Sequence, residues 1–463
     1  MTQIVNQTQA LDQLAGKLRG LLLRPGDDGY DDARAVWNGM VDRRPAAIAR
    51  CERTTDVVAA VRAAAEGGLE LSVKAGGHQA AGKAVCEDGL VIDLSPMDAV
   101  EVDPDAHTAR VGAGATLGQL DAATQRFGLA VPAGVDSRTG VAGLTLGGGI
   151  GWLARSFGLT SDNLIAAEVV TADGQVLSVS EDAHPDLFWA LRGGGGNFAI
   201  VTSFEFRLHP VGPEVLTFQL FHPLEDAETV LRGYRDVMTD APDALSCYAL
   251  FLRVPPIEPF PAKRHGTPAV VLAGCHSGSL KEGGEAVAPL TALGDPFFDV
   301  VTAMPYTTFQ SSFDAGVPDG ARYYGKAHLL PELSDAAIRT LLEQLADPPG
   351  EFTMAFLESL GGAISRMPAD ATAWAHRDAA YGFAVQGGWT DPSDDERVAA
   401  WCRQVHATMA PHATGGVYVN YLDADDEHRT PAAYGGHHAR LAEIKRRWDP
   451  NNVFKSTHNI APR

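Results

Sequence analysis

Residues 72–85, SVKAGGHQAAGKAV, place one histidine directly behind a glycine pair. The only other long side chains in the run are Lys74, Gln79 and Lys83. A loop built on Gly76, Gly77 and Gly82 can turn successive backbone N–H groups toward an anion with no Cβ in the way. Lys74 and Lys83 can add positive charge. The combination suits the pyrophosphate that dinucleotide cofactors share, and it is also the composition of a plain turn carrying a surface histidine.

Two further glycine blocks follow. Residues 132–164, PAGVDSRTGVAGLTLGGGIGWLARSFGLTSDNL, hold Gly140, Gly143, Gly147, Gly148, Gly149 and Gly151. Such density costs folding entropy and implies close approach of the backbone to something flat or anionic. In residues 191–210, LRGGGGNFAIVTSFEFRLHP, Gly193 to Gly196 lead into a strand pattern. The run GGGIG resembles a fragment of the nicotinamide-binding fingerprint. It lacks the βαβ frame and the acidic residue about 20 positions on that the fingerprint needs. The chain has no GxxxxGK[ST], HExxH or GxSxG and no cysteine cluster, so no metal site is expected. His437 and His438 are neighbours on a helix, where adjacent side chains point apart.

At 463 residues the chain is long enough for two or three domains. Its apolar share of 45% and charged share of 21% are those of a globular protein. A formal net charge of -21 repels phosphate backbones and anionic lipid, which argues against nucleic-acid and membrane partners. No window approaches the ~18 consecutive apolar residues of a membrane span. The first residues carry no run that reads as a secretory signal. Instead, Leu11, Leu14, Leu18 and Leu22 recur at helical steps, predicting one amphipathic helix. Five scattered cysteines without CxxC spacing suit a reduced, cytoplasmic protein.

Strand and helix signals alternate up to about residue 211, including a strand over 166–180 and a helix over 117–127. Between about 212 and 411 longer strands dominate (VLTFQLFHP, LSCYALFLRV, PAVVLAGCHS, FTMAFLESLGG, YGFAVQGGW), with helices between them, which predicts an α+β region. The C-terminal part reads as a strand over VYVNYLDADDEHRT, a basic helix and an irregular tail.

The three glycine blocks in this order, with YVNYLDAD and KRRWDPNNVFKSTHNIAP at the end, resemble the FAD-linked oxidases of the berberine-bridge-enzyme-like group. That group belongs to the vanillyl-alcohol-oxidase family, and the likeness spans nearly the whole chain. It implies an α+β fold: a PCMH-type FAD-binding domain over 1–211, an inserted substrate domain of antiparallel sheet and helices over 212–414, and a segment over 415–463 completing the first. It implies FAD bonded through its 8α-methyl to His78. Cofactor contacts would come from Lys74, Ala75, Gly76, Gly77, Gln79 and Gly82, from Asp136, Ser137, Gly140, Val141, Gly143, Gly147, Gly148 and Gly151, and from Ile200 and Asn420. Many relatives add a cysteinyl tether in a stretch like AGxC. Here Asp136 holds that position, so a single covalent link is expected, with more room over the ring.

The resemblance further implies hydride transfer from a small organic substrate to the flavin, followed by reoxidation by dioxygen to give peroxide. An oxygenase, an oxygen-resistant dehydrogenase and a flavin-storage protein are the alternatives. Tyr421, in the YxNY stretch, matches the family's candidate base, although a phenol with pKa near 10 needs something to lower it. Glu358 is the second candidate. Strand alternation puts Met354, Phe356 and Glu358 on one face, so Glu358 either lines a pocket with a raised pKa or emerges into water. Trp152, Tyr248 and Gln386 are weaker pocket candidates.

Overall fold

The computed structural model describes residues 2–463 and has two layers of sheet with distinct jobs. A four-stranded sheet runs in the order Leu21–Leu23, Ala47–Arg50, Leu90–Asp93, Leu71–Lys74. Its last three strands are parallel, and Ala47–Arg50 and Leu90–Asp93 are nearly all apolar and buried, as strands covered on both faces must be. The helix Thr54–Gly67 makes the crossover and stops at Gly68 in a left-handed conformation. A five-stranded antiparallel sheet follows, in the order Val100–Asp103, Thr108–Gly112, Ile200–Arg207, Leu164–Val170, Val176–Ser180.

The second layer is a seven-stranded antiparallel sheet: Phe298–Pro305, Glu214–Pro223, Pro268–His276, Leu245–Arg253, Met354–Ser359, Tyr381–Trp389, Arg322–Leu330. Helices Ala227–Thr239, Leu280–Thr291, Asp335–Gln344 and Asp395–Met409 cover one face through a core that includes Leu220, Leu272, Leu357, Phe383 and Trp389. The other face turns toward the second glycine block. Tyr248, Leu250, Val271, Ala273 and Phe221 pack there on Trp152, Leu153, Tyr306 and Phe309. The C-terminal residues Val417, Leu422, Tyr434, Leu441 and Ile460 return to the core of the first layer.

Several sequence readings need correction. The N-terminal helix ends at Ala15. Leu18 lies beyond it and Leu22 sits in the first strand, because Arg19 and Gly20 donate their backbone N–H groups to Asp56 instead of extending the helix. The single strand expected over 166–180 is a hairpin turning at Asp173–Gly174, with Gly174 at φ 76. The strand expected at VYVNY is a 3₁₀ turn, Val419–Tyr421. Strands Phe298–Pro305 and Arg322–Leu330 and helix Leu280–Thr291 were absent from the sequence reading.

Candidate functional site

The first two glycine blocks cross each other. A Cβ on Gly76 would lie 2.4 Å from the Gly140 nitrogen, and one on Gly140 would lie 2.5 Å from that of Gly76. Gly77 and Gly82 hold φ values of 65 and 64, which side-chain-bearing residues rarely adopt. Gly147 faces the amide of Asn420, where a Cβ would stand 2.1 Å from Oδ1, and Gly151 lies against the carbonyl of Ala133. Part of the glycine density therefore serves chain-on-chain packing instead of a ligand. Gly143 is different: it is exposed and nothing stands within 4 Å of its Cβ position.

His78 lies on the crossing loop. Trp37 stacks on its ring at 4.7 Å between centroids and 15° between planes, and Trp37 in turn stacks on Tyr323 at 3.8 Å. His78 Nε2 faces Asp136 Oδ2 at 3.5 Å. Arg138 grips Asp136 with Nε at 3.1 Å and Nη2 at 2.6 Å, and Nη2 also donates to the carbonyls of Asp314 and Val317. Burial would raise the Asp136 carboxyl, but the facing His78 ring and the hydrogen bonds from Arg138 outweigh it and hold the group well below the usual carboxylate range. The space expected over Asp136 is thus taken up by an ion-paired cluster. Ser137 is similarly engaged, its Oγ donating to Asp314 at 2.5 Å. Lys74 does not project a free charge: its Nζ donates to the carbonyls of Ala33 and Ala35 at 2.6 and 2.7 Å. A cavity of ≈ 260 Å³ is lined by Val36, Trp37, Lys74, Gly76, His78 and Arg138, among others. A larger one, ≈ 520 Å³, lies away from these residues against Leu224, Glu225 and Arg264.

On the sheet, antiparallel register sets Glu358 between Tyr248 and Gly382. Gly382 leaves the room the carboxylate occupies, since a Cβ there would stand 2.2 Å from Glu358 Oε1. Glu358 is completely buried, so the reading that sent it into water is excluded. Its Oε2 accepts a hydrogen bond from Tyr421 Oη at 3.2 Å, whereas Oε1 has no partner. Burial pushes Glu358 up to about 7 even though hydrogen bonds from Tyr248 and Tyr421 pull it down. Tyr421 moves in the direction opposite to what a base needs. Burial and the negative charge of Glu358 carry its hydroxyl well above 10.

The 3₁₀ turn explains how one short stretch supplies three groups. In a strand, Tyr418 and Tyr421 would point to opposite faces. Here Tyr421 N–H donates to the Tyr418 carbonyl at 3.0 Å, and the two rings meet edge to face at 4.8 Å. Tyr418 Oη accepts from the Gly149 N–H at 2.9 Å and from Asn420 Nδ2 at 2.8 Å, which ties the turn to the second glycine block. Trp152 and Tyr248, 4.6 Å apart and nearly buried, back the site wall together with Phe309 and Phe313. Gln386 pairs with Met354 two rows of the sheet from Glu358, on the same face and half-buried. Val141 and Ile200 belong to the core of the first layer.

Sequence reasoning missed Trp37, Arg138, Gly382 and Tyr418. Only Gly382 carried a usable signal, a glycine inside a strand pattern, which marks close approach of another group. Among the described residues no group of three or more His, Cys, Asp or Glu side chains could hold a metal, and no helix is long and apolar enough to cross a membrane. Several buried polar atoms in this region have no protein partner: His78 Nε2, Trp152 Nε1, Ser161 Oγ and Glu358 Oε1. Buried polar atoms are seldom left so, and a flat, polar, partly anionic group between the two layers fits the set.

Residues 45–180 match the family described as FAD binding domain, and residues 417–461 match berberine and berberine like. The chain is 33% identical over 461 residues to an FAD-linked oxidoreductase of Dictyostelium discoideum, covering 98% of this chain and 97% of that one. It is 30% identical over 462 residues to (R)-6-hydroxynicotine oxidase of Paenarthrobacter nicotinovorans, covering 96% and 97%. Among solved structures, 6-hydroxy-D-nicotine oxidase from Arthrobacter nicotinovorans superposes with a TM-score of 0.87 at 28% identity, over 96% of this chain and 98% of that one. Glucooligosaccharide oxidase from Acremonium strictum, described with a 6-S-cysteinyl, 8α-N1-histidyl FAD, gives 0.85 at 26% identity over 99% of each.

Proposed function

The chain belongs to the berberine-bridge-like FAD-linked oxidoreductases, and from that premise we propose that it is an oxidase of a small, largely apolar organic substrate, with Glu358 as its base and FAD tethered to His78 alone. Residues 1–211 with 415–463 would hold the cofactor, and 212–414 would cover the substrate. The observation that carries the reading is Glu358: fully buried, poised near neutrality, and with one carboxylate oxygen unpartnered. A carboxylate of that strength at pH 7 can take a proton from a substrate O–H or N–H and hold it. Tyr421 fixes Oε2 by donating to it, which leaves the lone pairs of Oε1 for the substrate. The phenol itself is too weak an acid to serve as the base.

When bound, FAD supplies the two-electron acceptor, taking a hydride from the substrate carbon and passing the electrons to dioxygen as peroxide. His78, Asn420 and the exposed backbone around Gly143 would hold it. Trp152, Tyr248, Phe309, Phe313 and Phe356 form an aromatic cluster on the face of the sheet that carries Glu358. Such a wall favours a flat apolar substrate with one ionisable hydroxyl or amine over an oligosaccharide, whose many hydroxyls need polar partners. The test is anaerobic mixing with a panel of hydroxylated aromatic amines, aryl alcohols and oligosaccharides while the flavin absorbance is followed. Bleaching by the aromatic compounds and not by sugars is expected. Reduction by sugars alone would refute the substrate class, and reduction without peroxide on aeration would refute the oxidase.

A further inference from the structure

We propose that Asp136 is the positioning residue for covalent attachment of the flavin: it holds the proton on His78 Nε2 and balances the charge the imidazole acquires as Nδ1 bonds the 8α carbon. The inference rests on the reading of His78 as the tether.

Four observations carry it. Nε2 of His78 is buried without a hydrogen-bond partner, and the charged group in front of it is Asp136 Oδ2, at 3.5 Å. Asp136 is itself only 7% exposed and cannot swing away, because Arg138 holds it through its backbone N–H (2.9 Å), Nε and Nη2. Arg138 is anchored in turn to the Asp314 and Val317 carbonyls. Trp37 lies flat on the imidazole and fixes its plane, and the same ring lines the ≈ 260 Å³ cavity.

A neutral imidazole has one N–H and one lone pair, and the partner of one nitrogen decides which is which. A carboxylate facing Nε2 at 3.5 Å favours the tautomer that carries its N–H there, so the lone pair falls on Nδ1. Attack through Nδ1 leaves the ring cationic until the Nε2 proton departs, and a fixed carboxylate beside that proton stabilises this stage, as in other aspartate–histidine pairs. The overall step balances. One C–H of the ring methyl and one imidazole N–H give way to a C–N bond, their two protons and two electrons reduce the flavin, and dioxygen accepts both as peroxide.

The test uses full-length apoprotein, produced flavin-free and mixed with FAD in air. Bound FAD is followed by fluorescence quenching, and covalent flavin by fluorescence of the acid-denatured band. The wild type should attach FAD. Asp136→Asn should bind FAD with an affinity within a few-fold of wild type and attach it at least tenfold more slowly, with Asp136→Glu recovering part of the rate. Attachment by Asp136→Asn at the wild-type rate would overturn the inference and leave the tether standing. Release of all flavin from denatured wild type would remove the tether and the inference together. Should Asp136→Asn fail to fold, NMR of the wild-type flavopeptide decides: a bond to Nδ1 is expected, and a bond to Nε2 overturns the inference.

Discussion

Glu358→Gln separates what the site needs from what the fold prefers. The substitution keeps the shape of the side chain and removes its charge. In the fold the carboxyl titrates at about 7 against an ordinary value of 4.5, with burial as the cause. A raised folded value means that the native state favours the protonated form. That contribution is fully present below about pH 4.5, declines as the unfolded chain ionises, and is lost once pH rises through about 7. The gap corresponds to roughly 3 kcal/mol lost from the wild type at alkaline pH, of which roughly 2 is already gone at pH 6. Glutamine avoids the loss, apart from the cost of burying its own amide. The stability difference between variant and wild type should therefore grow by about 1 kcal/mol between pH 6 and pH 9 and flatten above that. Thermal melts of both proteins at a series of pH values measure it, beside anaerobic flavin reduction. The expected pair of results is a variant that melts higher at pH 9 and has lost about 10²-fold or more in reduction rate. A variant that melts at or below wild type at every pH, or reduces its flavin at the wild-type rate, would refute the assignment of a buried, ionising base.

Other consequences follow from neighbouring contacts. Tyr421→Phe removes a hydrogen bond that lowers Glu358, so the acidic limb of kcat/KM, which rises with pH as the base ionises, should move to higher pH; an unmoved limb would separate the two residues. Gly382→Ala puts a methyl group where Oε1 stands and should cost about 1–3 kcal/mol of stability with a larger fractional loss in turnover, read by melting and by single-turnover reduction. Lys445→Ala removes the cation (Nζ to Oδ2, 2.6 Å) from the buried Asp449 carboxylate, which keeps only the backbone N–H groups of Val453 and Phe454. It should destabilise the protein by about 3–5 kcal/mol while the surviving folded fraction keeps its turnover. Asp121 is buried with neither oxygen partnered and is raised to about 8. By the same sign as Glu358, Asp121→Asn should raise the melting temperature above pH 8 and change little below pH 4, and a gain confined to acid pH would contradict it.

What the sequence disclosed and what it concealed divide along physical lines. The His78 loop was legible because glycine spacing and a lone histidine are local facts, and two of its glycines do hold positive φ. Strand alternation placed Glu358 on a face with Phe356 but could not say what faced it, because Gly382 and Tyr248 come from strands 24 and 110 residues away along the chain. VYVNY reads as a strand by propensity. Its contacts with Gly149 and Leu144 override that preference and curl it into the turn that brings Tyr418, Asn420 and Tyr421 together. Trp37 and Arg138 gave no local sign at all, since each acquires its role from a partner supplied by another loop.

Register makes the site and the fold interdependent. The strand Met354–Ser359 presents Phe356 and Glu358 to the glycine block and Ala355 and Leu357 to the helices. A slip of one residue would drive Glu358 into the helix-covered core beside Leu272 and Phe383, away from Tyr248 and Tyr421, and would turn Leu357 toward the glycine block. The helical core therefore specifies the register, and the register in turn delivers the carboxylate. The sheet does not gain from Glu358 itself, which costs stability whenever it is ionised. Four packed strands on one side and two on the other hold a group that the protein would fold more readily without, and an unfavourable buried charge kept in place by favourable neighbours is what a base poised near neutral pH requires.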